Sequence, residues 1–381
     1  MSALDLTSDG PPFAPEEWIG KKRVFSPLHL PLSVLQAHRD AFSITNDQRS
    51  EYIPASHVSV AEFVNTPLPP KSSSLLQVQI SEWFSPQLPT HTLDVLTLRS
   101  LPPPQTLQSL VDASGQAWLD GAQSIRDPRF HRGAERFPLS ALGLWRDLAA
   151  AVDLQRDWEV SSSWISTAIL NTDTPSEALA LLRDARTCLR DLPWNTTFSI
   201  GSVHTTTSEL ARFLGKRWLS DSLIDIMVES LAPRCTPPVS VGTLAVMQES
   251  RRGARVKDFS QKNTPLLHRI KRQVDGGRLE HLYFPCCINN NHWIAFHVDF
   301  RQKILEYGDS LAWSVHAAVP KADINTIQKW TEAHFGTRFR CTGASMAQNA
   351  QPDVDSCGLF AINTIYREKV GGVRVSPSAL R

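Results

Sequence analysis

No stretch of the sequence approaches the roughly eighteen consecutive apolar residues of a membrane-spanning helix, so no membrane partner is expected. Cysteine is scarce, at 6 in 381 residues and without regular spacing. That excludes a disulfide framework and leaves reactivity as the reason a thiol would matter. Charge of one sign is also lacking, since 39 Lys and Arg face 38 Asp and Glu for a net charge of +1. A globally basic nucleic-acid binder is therefore excluded, and nucleic acid is not the expected partner. The opening residues, MSALDLTSDG, lack the basic-then-apolar order of a secretory signal. The expectation is an intracellular protein, nuclear or cytoplasmic. No internal repeat occurs at solenoid periods.

Proline is plentiful and uneven, with 14 of the 26 prolines before residue 105. Pro69-Pro70 and Pro102-Pro103-Pro104 punctuate apolar runs such as residues 75–80, which otherwise suit a short strand. Each proline removes a donor and fixes φ, so residues 1–105 read as a proline-rich irregular region. Residues 106–195 read as helical, with no assigned chemistry. Pro138 suits the first position of a helix presenting Leu142, Trp145, Ala149 and Val152 on one face. Thr174-Pro175-Ser176-Glu177 has the form of a capping box, opening a helix that carries Leu179, Leu182 and Leu189 and runs to about Cys188. Trp118, Trp145, Trp158, Trp164 and Trp194 are read as packing residues, given the area each ring buries. After Pro193 the texture changes to alternating strands and glycine turns, and residues 196–381 form the third segment.

That segment carries the chemistry. Residues 282–288 suit a strand, and Asn289-Asn290-Asn291 suits a turn, because asparagine tolerates left-handed backbone. Ile294, Phe296, Val298 and Phe300 then alternate against Ala295, His297 and Asp299, and residues 303–307 suit a third strand. The meander starts one strand at His292 and leaves Asp309 just past the end of its neighbour. An imidazole and a carboxylate can thus meet at one end of a sheet. Further on, Cys357 precedes an apolar helical run, where free amides and the helix dipole favour a thiolate. Gln351 supplies an amide donor beside the Cys357 backbone, and Gln348 is a competing donor.

His292-Trp293, then Asp309, then Gln351 six residues before Cys357-Gly358, resembles the ubiquitin-like-protein-specific cysteine proteases of the SUMO and sentrin type. Trp218-Leu219-Ser220-Asp221, followed by Ile224, Met227, Val228 and Leu231 at helical spacing, resembles the Trp-Leu-Asn-Asp motif of that family. Ser356 and Ser220 stand where the family has Asp and Asn, and the 24 residues after Cys357 are fewer than in many relatives. The resemblance implies an α+β papain-like fold, with a central antiparallel sheet and the nucleophile at a helix N-terminus. It also implies cleavage after the Gly-Gly tail of a ubiquitin-like modifier, SUMO-type before ubiquitin or NEDD8, with the modifier and its conjugates as partners. Cys357 would be the nucleophile, His292 the proton carrier, Asp309 its orienting group and Gln351 the oxyanion donor. Trp218, Asp221 and Trp293 would bind substrate, the two indoles roofing a tunnel that only glycine passes. No cofactor is implied. The alternative is a weak or inactive protease fold that binds a modifier.

Two other clusters invite function. Cys286 and Cys287 with His281 and His297 suggest zinc, yet adjacent residues of a strand face opposite ways, so no metal is assigned. Residues 251–278 hold nine Lys and Arg against Asp258 and Asp275, a local excess hidden by the global balance. A solvated loop is the plain reading, with an acidic partner surface or nucleic acid as the others.

Overall fold

The computed structural model describes residues 14–73, 78–130, 134–311, 319–346, 350–353 and 355–370. Two units divide the chain between Trp158 and Glu159, inside one long helix, Ala141–Leu170. The sequence punctuation marks 105 and 195 instead. Proline clusters and changes of texture register where elements begin, whereas units are bounded where packing thins.

In the first unit, the expected irregular layer is instead a set of short helices, among them Leu32–Phe42, Asn46–Tyr52 and Val60–Phe63. Proline sits where a helix tolerates it. Pro31 is an N-cap, and Pro104 lies in the first turn of Pro104–Leu119, where a missing N–H costs little. Thr45 and Ser59 each close a capping box that nucleates a helix too short to form alone. Of the strand expected at residues 75–80, positions 75–77 lie outside the described residues, and Ile80 opens a 3-10 turn, Ile80–Trp83. Pro138 does not start a helix. It ends the edge strand Arg136–Pro138, a position open to proline, and the helix begins at Ala141. Of the expected helical face, Leu142 and Trp145 are buried, with Trp145 edge-on to Trp83 at 5.9 Å, while Ala149 and Val152 are half-buried. Trp118, Trp158 and Trp194 are also core, while Trp164 is half-buried.

Labels below number the second unit. Helix α1 is Ser176–Asp191, and its expected capping box does not form. Thr174 Oγ1 donates instead to the Ala168 carbonyl at 2.9 Å, closing the end of the preceding helix. No residue of α1 is fully buried. The five-stranded sheet comprises β1 (Val239–Val241), β2 (His281–Ile288), β3 (His292–Asp299), β4 (Ile304–Gly308) and β5 (Arg340–Gly343). Its order is β5-β4-β3-β2-β1. The three central strands are antiparallel as expected, but both edge strands run parallel to their neighbours, so the sheet is mixed.

Alternation on the central strands fills two cores. On one face Phe284, Phe296 and Val298 meet α3 (Ala245–Val256), α4 (Pro265–Asp275) and α5 (Lys321–Phe335) through Met247, Ile270 and Trp330. On the other, Tyr283, Trp293 and Ala295 meet α2 (Asp221–Leu231) and α6 (Cys357–Val370) through Leu223, Ile224 and Ala361. Cys286 and Cys287 accordingly fall in different cores, as the pleat requires.

Phe296 is fully buried and packs on Phe284 with ring centroids 5.8 Å apart. Phe296→Ala is expected to destabilise the second unit by about 3–5 kcal/mol, read by urea denaturation. A loss below about 1 kcal/mol would contradict the packing described.

Candidate active site

The site starts with a turn. Asn289 and Asn290 take φ of 52° and 56°, the left-handed conformation a tight hairpin demands of two successive residues. That turn makes His292 the first residue of β3, opposite Ile288. On the other side, β3 pairs Ala295 with Gly308, the last residue of β4, so Asp309 emerges beside His292. His292 Nε2 and Asp309 Oδ1 are 2.6 Å apart. Asp309 is almost wholly buried, and the Leu311 amide also donates to Oδ1 at 2.8 Å.

Cys357 begins α6, is 1% exposed, and sits close enough to His292 to raise its pKa. Its place depends on Gly358. A Cβ there would lie 2.8 Å from Ile224 Cδ1, 3.3 Å from Leu219 Cδ1 and 3.4 Å from Trp293 Cδ1. Glycine therefore lets the first turn of α6 settle against α2 and β3, and brings the thiol to the imidazole. Burial disfavours a charged His292, but the interactions with Asp309 and Cys357 outweigh it and hold the ring up at about 9. The imidazolium form consequently dominates at neutral pH. With Nε2 committed to Asp309, Nδ1 is the nitrogen left for sulfur. Such an arrangement can keep a thiolate as nucleophile and return a proton to a departing amine.

Gln351 is tied down. Its amide nitrogen donates to Asp353 Oδ1 at 3.2 Å, and its side-chain oxygen accepts from Ser310 Oγ at 2.8 Å. Its backbone N–H donates to the Ser310 carbonyl at 2.9 Å. Asp353, absent from the sequence reading, is the hub of this loop. It also accepts from the Asp355 amide at 3.0 Å, the Ser356 amide at 2.9 Å and Ser356 Oγ at 2.8 Å. Burial would raise its carboxyl, but the hydrogen bonds from Ser356, Asp355 and Gln351 hold it below the usual range. The available signal was an Asp three residues ahead of Ser356 at a helix start, a capping spacing. Gln348 lies outside the described residues.

The three substrate-binding candidates are placed differently. Trp293 is buried against Gly358. Trp218 is 40% exposed and donates Nε1–H to Asp355 Oδ1 at 3.1 Å, two residues before Cys357. Asp221 is the exposed first residue of α2, and among the described residues it makes no hydrogen bond with the other six. Asp225, one turn on, was not singled out. Burial pushes its carboxyl up to about 6 although the Leu244 amide donates to it at 2.7 Å. Behind the Asp353 loop lies a cavity of about 340 Å³ walled by Trp164, Pro352, Ser356 and Tyr366. No helix among the described residues is long and apolar enough to cross a membrane.

No family model matches the chain. It is 24% identical over 170 residues to ubiquitin-like-specific protease 1 of Saccharomyces cerevisiae, covering 43% of this chain. The match spans only 26% of that relative's length. Among solved structures, the C-terminal Ulp1 protease domain in complex with Smt3, the yeast orthologue of SUMO, is 18% identical with a TM-score of 0.35. That likeness covers 54% of this chain and 81% of the other. The Xanthomonas campestris effector XopD bound to ubiquitin is 18% identical, over 43% of this chain and 82% of its own, with a TM-score of 0.30.

The histidine assignment predicts its own titration. Carbon-13 NMR of labelled histidine should place the His292 midpoint near 9, and Asp309→Asn should lower it towards the ordinary 6.5. An unchanged midpoint in the variant would remove Asp309 as the cause. Asp353→Ala should cost about 1 kcal/mol of stability through the lost cap, measured by thermal denaturation.

Proposed function

From the similarity to the ubiquitin-like-specific proteases, we propose that the second unit is a cysteine peptidase or isopeptidase. Its substrates are conjugates or precursors of a ubiquitin-like modifier, SUMO-type in preference to ubiquitin or NEDD8, cut after the Gly-Gly tail. The observation that carries this reading is the Asp309–His292 hydrogen bond with Cys357 beside the imidazole at the N-terminus of α6. Papain-like architecture is part of the same reading.

In the first half-reaction the Cys357 thiolate attacks the terminal glycine carbonyl carbon, forming a C–S bond and a tetrahedral oxyanion. The Cys357 amide and the Gln351 side-chain amide stabilise that oxygen, which requires the Gln351 nitrogen to leave Asp353. Imidazolium His292 gives its proton to the departing amine as the C–N bond breaks, leaving a thioester. Neutral His292 then takes a proton from water as the hydroxide adds to the thioester and expels the sulfur, which restores the thiolate–imidazolium pair. Asp309 keeps the ring oriented throughout. Trp218 and Trp293 flank the glycines, where a side chain would collide with indole. Asp221 meets the body of the modifier.

Probes made of SUMO, NEDD8 or ubiquitin with an electrophile in place of the last carboxylate test this directly. The SUMO probe should label the full chain, Cys357→Ala should abolish labelling, and Cys286→Ala should leave it intact. Absence of any adduct with all three probes would sink the reading.

Activity should also fall on the alkaline side with a midpoint near 9. His292 must be protonated to supply the leaving amine, and raising pH through its elevated pKa removes that proton. A profile of kcat/KM for a Gly-Gly amide substrate that stays flat to pH 10 would contradict it.

A further inference from the structure

A second site lies away from Cys357. A cleft of about 800 Å³ opens beside the edge strand β1, between α2 on one side and α3 with α4 on the other. Its size is within the roughly 300–1,000 Å³ of ligand-binding clefts. None of the seven candidate site residues lines it. One of its walls is Leu282, six residues along β2 from Ile288, the partner of His292. At strand rise that separation is about 20 Å.

The lining has three kinds of chemistry. Val246, Ile270 and Leu282 give it an apolar floor. Arg269 and Arg272 form a cationic rim on the exposed side of α4. Of the nine Lys and Arg in residues 251–278, ion pairs among the described residues take up only Arg251, with Asp323, and Lys271, with Asp275. Arg269 and Arg272 therefore remain available to an incoming anion. Glu249 also reaches the cleft, but it caps the start of α4, accepting from the Leu266 amide at 2.9 Å and the Leu267 amide at 3.2 Å. Lastly, β1 contributes Ser240 and Val241, and pairs with β2 on one side only. An edge strand of this kind offers main-chain donors and acceptors to an extended segment.

We infer that this cleft is a docking site for a short extended peptide of a partner protein, with aliphatic residues flanked by Asp or Glu. The peptide lies along β1, sets its aliphatic side chains on the Val246–Ile270–Leu282 floor, and places its carboxylates on Arg269 and Arg272. Charge complementarity selects an acidic flank, and the apolar floor selects a polypeptide over a nucleic acid. A phosphodiester strand has no aliphatic groups to set on that floor. Nor does the basic segment offer a stacking platform, because its Phe259 packs against Gly253 and its His268 against His334. The site is independent of the proposed chemistry at Cys357, so binding is measurable whether or not the chain turns over a substrate.

Fluorescence anisotropy of the full chain with a labelled octapeptide tests this, using four aliphatic residues between pairs of glutamates. Saturable binding is expected, weakening as salt is raised. Arg269→Glu with Arg272→Glu should weaken it by about tenfold or more. A peptide carrying lysines for glutamates should bind that double variant better than the original chain does, which also shows that the variant is folded. Arg252→Glu with Arg255→Glu, on α3 outside the cleft, should change affinity little. Absence of binding, equal loss in both double variants, or failure of the charge swap would overturn the inference. Full displacement by a single-stranded oligonucleotide of equal length, at lower concentration than unlabelled peptide, would assign the surface to nucleic acid instead.

Discussion

The register of β3 between β2 and β4 is the constraint on which the second unit depends. Strand side chains alternate with a period of two, so a one-residue slip would send Ile294, Phe296 and Val298 out of one core and Trp293 and Ala295 out of the other. The same slip would part His292 from Asp309. Burial of large apolar side chains therefore enforces the geometry of a polar pair. The two left-handed asparagines at the hairpin fix where counting begins, and the pairing of Ala295 with Gly308 fixes where it ends.

A second level of organisation belongs to residues 351–353 with Asp355 and Ser356. Four donors converge on the Asp353 carboxylate, which ties Gln351 to the start of α6. Asp355 extends the tie to Trp218. This loop lacks strand or helix periodicity, and its shape is specified by side-chain acceptors that meet backbone amides. Loops built this way move as a unit, because releasing one donor weakens the hold on its neighbours.

The meander was legible in the sequence because every local signal agreed: alternation, a turn of asparagines, and breaks at 301–303. His292 and Asp309 could be placed at one end of the sheet from that alone, whereas Cys357 was placed at a helix start by the apolar run that follows it. Signals that depend on distant partners were less legible. Thr174 has the spacing of a cap, yet its hydroxyl finds the Ala168 carbonyl closer at hand. Pro138 suits a helix start, but an edge strand pairs with Ser124 first. Both parallel edges of the sheet were missed, since parallel neighbours come from strands far apart in sequence. Asp353 has a capping spacing ahead of Ser356 as its one sequence signal, and the further amide and side-chain donors that converge on it have none. The helices of the first unit were hidden by proline, which was read as a breaker although it stands at starts.

The adjacent thiols of β2 illustrate how far a pleat can divide chemistry. Cys286 is sealed in the core beneath α3 and α5, where burial drives its thiol strongly upward and away from ionisation. Cys287 faces the opposite core, half-buried, on the side that also holds Cys357. Two sulfurs one residue apart therefore occupy separate redox compartments of a single molecule. The sheet itself stands between Cys286 and the face that holds Cys287 and Cys357. Nor can the neighbours bridge to each other while the strand stays paired, because their side chains diverge. The sheet that aligns the imidazole with its carboxylate thus also sorts the thiols onto two faces, Cys287 and Cys357 on one and Cys286 on the other.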